Sequence, residues 1–223
     1  MSSTGAGSSI KPALADESSS PRSRLHRWER LESLLIGLTI LYWTVRQVQG
    51  AAAPWHPVSL AVVLLNTIVA GLLALRTPAE RLGSWRDWLW ATPCVAIGGF
   101  FFHGAPPAAT WSVFAQGLFV SGVLLTCIAL LSLGRSFSIL PAVRTIARSG
   151  PYQWVRHPAY LGESVMALGC VAASPSWKSG LLLALVVPFV VWRIRVEEEL
   201  LRHSPDYVEY TRQVRWRLVP GVW

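Results

Sequence analysis

Apolar residues along this chain are grouped into runs that approach the ~20 residues a helix needs to cross a bilayer. Short polar segments rich in Arg, Gly and Pro separate the runs. The pattern predicts six membrane helices, the third, fifth and sixth of them short, at residues 31–49, 57–75, 88–103, 111–133, 158–174 and 178–194. We therefore expect an all-α, polytopic membrane bundle of about five to six transmembrane helices with a C-terminal cytoplasmic helical segment.

The two ends of the chain show different patterns. Residues 1–25 are rich in Ser, Gly, Ala and Pro, which predicts a disordered tail. Residues 197–215 combine apolar and charged positions and predict an amphipathic segment, in which Pro205 breaks or restarts the helix. The predicted units are thus the tail, four N-terminal transmembrane helices in residues 26–133, and a C-terminal core in residues 134–223.

The composition agrees with a membrane protein. Hydrophobic residues make up 52% of the chain and charged residues only 14%, against about 25% charged residues in an average soluble domain. The net charge of +8 would suggest nucleic-acid binding in a soluble protein. Because the basic residues flank apolar runs, we expect no nucleic-acid partner. The cysteines, Cys94, Cys127 and Cys170, lie singly in apolar runs, so we also expect no metal site.

The distribution of Lys and Arg predicts the orientation of the chain. Of the 20 such residues, all except Arg46 and Lys178 lie in the N-terminal tail, the second and fourth connections or the C-terminal segment. These segments share one side of the membrane if all six runs cross it. By the positive-inside rule that side is the cytoplasm, so we expect both termini there, in a multi-pass protein of the bacterial plasma membrane.

Two polar clusters flank the last two apolar runs. Residues 150–162 hold Arg156, His157 and two tyrosines, and residues 193–199 hold two arginines and three glutamates. The runs between them form a tight hairpin, and two antiparallel helices of about 17 residues, each ~25 Å long, have free ends side by side. We therefore expect both clusters at one cytoplasmic mouth, where the glutamates could bind an ammonium group.

Four motifs follow one another in the C-terminal part of the chain. They are Gly134-Arg135-Ser136-Phe137-Ser138, Gly150-Pro151-Tyr152, Arg156-His157-Pro158-Ala159-Tyr160-Leu161-Gly162 and Arg193-x-x-x-Glu197-Glu198. Their order and spacing resemble the isoprenylcysteine carboxyl methyltransferase family, which is related to membrane phospholipid methyltransferases. The resemblance covers about residues 130–223. It implies an integral membrane enzyme that transfers a methyl group from S-adenosylmethionine, with its methyltransferase core in the C-terminal unit.

The resemblance also implies a cytosol-facing cofactor pocket. The positions that bind the cofactor in the family correspond to Arg144, Thr145, Ile146, Ala147, Tyr152, His157, Pro158, Ala159, Tyr160, Glu197 and Glu198. Arg193 corresponds to an arginine on the substrate side, and we take it as the catalytic candidate that positions an acceptor carboxylate. The segment after Glu199 is shorter than in the family, so the register over the three glutamates is open by one position.

The resemblance favours carboxyl O-methylation of an isoprenylcysteine-like or other lipophilic substrate. The expected partners are a lipophilic small molecule or lipidated substrate and membrane lipid. N-methylation of a phospholipid or another lipid amine is the main alternative. Membrane sterol-type reductases share a similar C-terminal hairpin and bind NADPH, and a non-enzymatic membrane scaffold is a third alternative. Saturable binding of S-adenosylmethionine without binding of NADPH would select the methyltransferase.

Overall fold

The computed structural model describes residues 21–50, 55–76, 81–82, 102, 104–137, 142–143 and 146–223. Helices dominate the described part of the chain. They are α1 (Pro21–Gly50), α2 (Pro57–Leu75), α3 (Val113–Leu133), α4 (Pro158–Ala173), α5 (Trp177–Leu201) and α6 (Pro205–Gln213).

Shorter elements join these helices. Single 3-10 turns lie at Ala108–Thr110, Gly134–Ser136 and Gly150–Gln153. Two strands of two residues each, β1 (Arg81–Leu82) and β2 (Ala142–Val143), pair in antiparallel register. Since this short ladder is the only sheet among the described residues, the predicted all-α class is confirmed.

Every predicted apolar run except 88–103 lies in a described helix to within two residues at its ends. Of run 88–103 the structure describes only Phe102. The sixth run is longer than predicted, because α5 continues to Leu201 and carries the acidic cluster on its last turns. Pro205 is the first residue of a new helix, α6. Residues 1–20 of the predicted tail lie outside the described residues, and α1 begins within the rest of it.

Several helices have the length and composition of membrane spans. The stretches Pro57–Leu75, Val113–Ser136 and Trp177–Leu201 are long and apolar enough to cross a bilayer, and α4 is a shorter apolar helix. Large apolar side chains are exposed along these helices, including Leu131 and Leu185. Contiguous exposed apolar surface of this kind marks contact with a membrane or a partner, and together with the helix lengths it identifies a membrane protein.

Helices α3 and α4 pack directly against each other along a face of small residues. A Cβ atom added at Gly122 of α3 would lie 2.6 Å from the Met166 backbone nitrogen and 2.7 Å from the Gly162 carbonyl oxygen. A Cβ atom added at Gly169 of α4 would lie 2.7 Å from the Phe119 backbone nitrogen. Only glycine permits this approach, so the two backbones are in contact, as is common between membrane helices.

The other N-terminal helices extend the bundle from this pair. Helix α2 packs on α3 and α1 packs on α2, where the Asn66 side chain donates a hydrogen bond of 2.9 Å to the Thr44 hydroxyl. Leu133 near the end of α3 and Ala159 in the first turn of α4 pack against the same buried residues. The bundle therefore holds the N-terminal end of α4, where the predicted site begins, against the C-terminal end of α3.

The α3–α4 contact predicts that Gly122→Ala destabilises the protein by about 1–3 kcal/mol, because the added methyl group meets backbone atoms that cannot rotate away. Gly117→Ala is a matched control on the same helix, since nothing lies within 4 Å of a Cβ atom at that position. Alanine favours helix more than glycine does, so the control should be at least as stable as the parent protein. Thermal unfolding in one detergent measures both variants, and equal midpoints would contradict the close packing.

Candidate active site

The two polar clusters lie together, as the hairpin predicts. The first occupies the turn Gly150–Gln153 and the start of α4, and the second occupies the last turns of α5. The Tyr160 hydroxyl donates a hydrogen bond of 2.8 Å to Glu197 Oε2. His157 Nε2 lies 3.3 Å from Glu198 Oε1. Adjacent glutamates of α5 thus contact two side chains that are one turn apart in the chain.

Glu198 is enclosed by basic side chains and only 2% exposed. Its Oε1 lies 3.2 Å from Arg156 Nη1 and 3.3 Å from His157 Nε2. Its Oε2 accepts a hydrogen bond of 2.8 Å from Arg217 Nε. A buried carboxylate is stable only when such partners satisfy its oxygens. Both oxygens are engaged, so Glu198 acts as an anchor within the fold.

The C-terminal segment completes the surroundings of Glu198. The backbone N–H groups of Arg156 and His157 donate to the carbonyl oxygens of Trp216 at 2.9 Å and Arg217 at 2.8 Å. The Arg217 guanidinium also lies over the Trp223 ring, 5.3 Å from its centroid, which is within cation–π range. Backbone and side-chain contacts together fasten the end of the chain to the His157 turn.

Four side chains form a second group, the α4–α5 polar cluster, made of Tyr160, Glu163, Arg193 and Glu197. Arg193 Nε donates a hydrogen bond of 2.7 Å to the Tyr160 hydroxyl, which itself donates to Glu197. The Arg193 guanidinium lies 5.3 Å from the centroid of the same ring. Glu163, one turn along α4 from Tyr160, interacts electrostatically with Arg193 and Glu197. Arg193 is buried, Glu197 is half-buried and Glu163 is exposed.

Three buried tyrosines, Tyr152, Tyr207 and Tyr210, form a wall between the site and α3. They pack together with Ala129 of α3 and with Val214, and the Tyr210 hydroxyl donates a hydrogen bond of 2.7 Å to the Tyr152 carbonyl oxygen. Desolvation by burial raises the pKa of Tyr210 to about 12 and also raises the pKa of Tyr152 and Tyr207. All three therefore keep their protons at neutral pH.

The structure also places the remaining predicted cofactor-binding residues. Ile146 and Ala147 pack beside the buried tyrosines. Pro158 is fully buried and Ala159 is half-buried at the start of α4. Arg144 and Thr145 lie outside the described residues.

The three glutamates have different surroundings. Glu197 and Glu198 contact side chains of α4 and its preceding turn. Glu199 is exposed, and its carboxylate lies 3.7 Å from Arg202 on the same helix, an arrangement that contributes little to stability at a surface. The pair chosen from the motif is therefore the pair that faces the site.

Glu163 and Arg217 belong to the site but do not follow from the motifs. Glu163 could have been found because it is the only charged residue of α4, and a charged residue in an apolar helix usually has a function. Arg217 carries no comparable signal, since it is one of several arginines in a polar segment. Its contact with Glu198, 19 residues away in sequence, exists only in the folded chain.

Comparison with known proteins matches the part of the chain that contains the two polar clusters. Residues 110–204 match the family model described as "Phospholipid methyltransferase". The match begins just before α3 and includes the whole α4–α5 hairpin with its polar cluster.

Curated relatives match about half of the chain. "Protein-S-isoprenylcysteine O-methyltransferase B" of Arabidopsis thaliana is 31% identical over 122 residues, which are 51% of this chain and 62% of the relative. "Protein-S-isoprenylcysteine O-methyltransferase" of Saccharomyces cerevisiae is 32% identical over 111 residues, 44% of each chain. The Schizosaccharomyces pombe protein of the same name is 32% identical over 108 residues, 45% of this chain and 46% of the relative.

The chain thus spans about half the length of the relatives it matches. The family-model match, residues 110–204, contains all four motifs that carry the resemblance, from the Gly134 motif to the acidic pair of α5. The part of the chain that holds the candidate site is thus similar to the phospholipid methyltransferase family and to isoprenylcysteine O-methyltransferases.

Proposed function

We propose that this protein is an integral membrane methyltransferase that uses S-adenosylmethionine to methylate the carboxylate of an isoprenylcysteine-like or other lipophilic substrate. The observation that carries the proposal is the α4–α5 polar cluster, in which the buried Arg193 lies beside the partly exposed Glu197. The region that matches the family model contains the whole cluster. The relatives are all named as isoprenylcysteine O-methyltransferases, which supports this acceptor class.

Glu197 fits the ammonium group of the cofactor better than Glu198 does. One oxygen of Glu197 accepts a hydrogen bond from Tyr160, and the side chain is half-buried rather than enclosed. Glu198 has both oxygens engaged by Arg156, His157 and Arg217. Because an ammonium group binds most strongly to a carboxylate with lone pairs to offer, we assign cofactor binding to Glu197 and support of the site to Glu198.

The other walls of the cofactor pocket come from both sides of the His157 turn. Tyr152, His157 and Tyr160 would line the pocket, with Pro158 and Ala159 between them at the start of α4. The preceding segment would contribute Arg144, Thr145, Ile146 and Ala147, mainly through backbone groups. Burial of the tyrosine wall supports this arrangement, since a pocket without bulk water favours methyl transfer to the acceptor over reaction with water.

S-adenosylmethionine supplies, when bound, a methyl group on a positively charged sulfur that is a good leaving group. The protein has to align the acceptor with that methyl group and exclude water. A carboxylate with a pKa of about 4 is already ionised at neutral pH, so it needs no general base. Arg193 would position it, and the hydrogen bond to Tyr160 holds the guanidinium in place.

A lipid amine is the second candidate acceptor, and one observation favours it. Glu163 and Glu197 give the polar cluster two carboxylates against one guanidinium, which would suit a positively charged acceptor. An ammonium acceptor must lose a proton before it can attack, and a nearby carboxylate could receive that proton. The names of the relatives favour the carboxylate, and the product of the reaction distinguishes the two.

We also infer that the site faces the cytoplasm of a bacterial cell. At the site end of the α4–α5 hairpin the described chain carries Arg148, Arg156, Arg202, Arg212, Arg215 and Arg217. The connection at the other end of the hairpin carries Lys178 beside Trp177. This asymmetry supports a cytoplasmic site by the positive-inside rule, on the side where S-adenosylmethionine is made.

The two adjacent glutamates should respond differently to removal of their charge. Glu197→Gln should weaken binding of S-adenosylmethionine by about tenfold or more, the usual value of a charge-assisted hydrogen bond, and leave the unfolding midpoint unchanged. Glu198→Gln should instead lower stability by about 3–5 kcal/mol, because it leaves the enclosed Arg156 and the half-buried Arg217 uncompensated. Calorimetry measures the affinity of both variants for S-adenosylmethionine, with NADPH as the control ligand, and thermal unfolding measures their stability. Unchanged cofactor affinity in Glu197→Gln would refute the assignment.

The carboxyl acceptor predicts the chemical nature of the product. Membranes that contain the protein should transfer labelled methyl from S-adenosylmethionine to N-acetyl-S-farnesylcysteine, and base should release the label as methanol. Arg193→Gln should reduce this transfer by about 100-fold through loss of acceptor alignment. Arg195→Gln, at an exposed position of the same helix, is the control and should retain activity. Base-stable label in a lipid amine would select N-methylation.

The inferred orientation predicts which cysteine variants react from outside the cell. Lys178→Cys, at the hairpin connection, should react with a membrane-impermeant maleimide in intact cells. Arg212→Cys, at an exposed position of α6, should react only after permeabilisation. The parent protein, in which Cys127 and Cys170 are buried, provides the background. The opposite labelling pattern would place the site outside the cytoplasm.

A further inference from the structure

Glu163 is the second carboxylate of the α4–α5 polar cluster, beside Glu197. It is the only charged residue of α4, and it lies five residues after the first residue of the helix, about 7.5 Å along the axis. Its side chain is exposed, whereas the side chains of Tyr160 and Arg193 are half-buried and buried. An exposed carboxylate at that depth in an apolar helix is costly unless it serves the site.

The two helices fix where Glu163 lies relative to Arg193. Tyr160 and Glu163 are three residues apart and share a face of α4, and Arg193 and Glu197 are four residues apart and share a face of α5. The Tyr160 hydroxyl bonds to both Arg193 and Glu197 and so joins the two faces. Glu163 comes after Tyr160 in α4, which runs away from the mouth of the hairpin, and Arg193 comes before Glu197 in α5, which runs towards the mouth. Glu163 and Arg193 therefore both lie at the end of the cluster that is farther from the mouth.

The charges at this deeper end determine what an acceptor meets. Arg193 faces the carboxylates of Glu163 and Glu197. If Glu197 binds the cofactor's ammonium group, as proposed above, Glu163 is the carboxylate left to balance Arg193. An acceptor carboxylate that approaches Arg193 must then compete with Glu163, because both anions are attracted to one guanidinium and repel each other.

We propose that Glu163 is a positioning residue for the methyl acceptor. Glu163 interacts with Arg193 at the same time as the acceptor's carboxylate does, and so weakens the interaction of Arg193 with that carboxylate. This inference rests on the proposed carboxyl methyltransferase function. A carboxylate held tightly by a guanidinium is a poorer nucleophile, since its lone pairs are engaged in hydrogen bonds. Glu163 therefore lowers the affinity for the acceptor and raises its reactivity. Tighter binding of the acceptor in the ground state alone would not raise kcat.

The test compares acceptors that differ only in charge. With N-acetyl-S-farnesylcysteine as acceptor, Glu163→Gln should lower KM by about tenfold and lower kcat severalfold. The change in KM is of this size because removing one competing charge at a partly solvated site changes the affinity for an anion by about tenfold. The uncharged carboxamide of the same molecule, used as a competitive inhibitor, should bind both proteins with the same inhibition constant. A general distortion of the pocket would change that constant as well.

Matched variants separate the charge of Glu163 from its shape. Glu163→Asp keeps the charge and should retain a KM near that of the parent, whereas Glu163→Ala removes the charge and should lower KM as Glu163→Gln does. Glu199→Gln is the control, since Glu199 is exposed on α5 and pairs with Arg202 outside the cluster; it should change neither constant.

Three results would overturn the inference. An unchanged or raised KM for the carboxylate in both charge-removing variants would show that Glu163 does not compete for Arg193. An equal change in the carboxamide inhibition constant would show a purely structural role. A parent protein that binds S-adenosylmethionine but does not methylate the carboxylate would overturn the proposed function together with this inference, whereas the first two results leave the function standing.

Discussion

A buried carboxylate with three basic partners joins the parts of this protein that build its site. Glu198 on α5 contacts Arg156 and His157, which precede α4, and Arg217 from the C-terminal segment. Removing a charged group of this kind from water is costly, so the arrangement is stable only when every partner is present. The end of α5, the start of α4 and the end of the chain are therefore held in one relative position.

Two further constraints act through that anchor. Glycines at the α3–α4 contact let the helix backbones touch, which places the first turn of α4 against the end of α3. The anchor then brings the last turns of α5 to the same place. As a result the Tyr160 hydroxyl lies within hydrogen-bond distance of both Arg193 and Glu197, although α4 and α5 contact each other over few residues elsewhere.

Neighbouring residues in the acidic stretch have separate tasks because they lie on different sides of one helix. Glu198 points towards Arg156, His157 and Arg217 and is enclosed. Glu197 points towards Tyr160 and stays partly open, and Glu199 faces outward beside Arg202. Successive helical positions are separated by about 100°, so a run of identical residues cannot share one environment. The burial of each carboxylate, rather than its identity, determines which can bind a ligand.

The amino-acid sequence by itself determined the helical class, the position of most helices and the family resemblance. Apolar runs of membrane length leave the backbone no alternative to helix in a bilayer, and the four motifs carry the resemblance. It also predicted that the two polar clusters meet, since a short connection between two helices allows only an antiparallel hairpin. The apolar pattern predicts too early an end for α5, because the polar last turns of the helix lack the apolar residues of the rest.

Only the tertiary structure decided which charges are paired. The contact of Arg217 with Glu198 joins residues that no periodicity relates, and the role of Glu163 appears only when α5 brings Arg193 beside it. Local patterns report which face of a helix is apolar, whereas an ion pair depends on the distance between elements that are separate in the chain. Distances of that kind arise from packing, here from the glycine contact of α3 with α4 and the enclosure of Glu198.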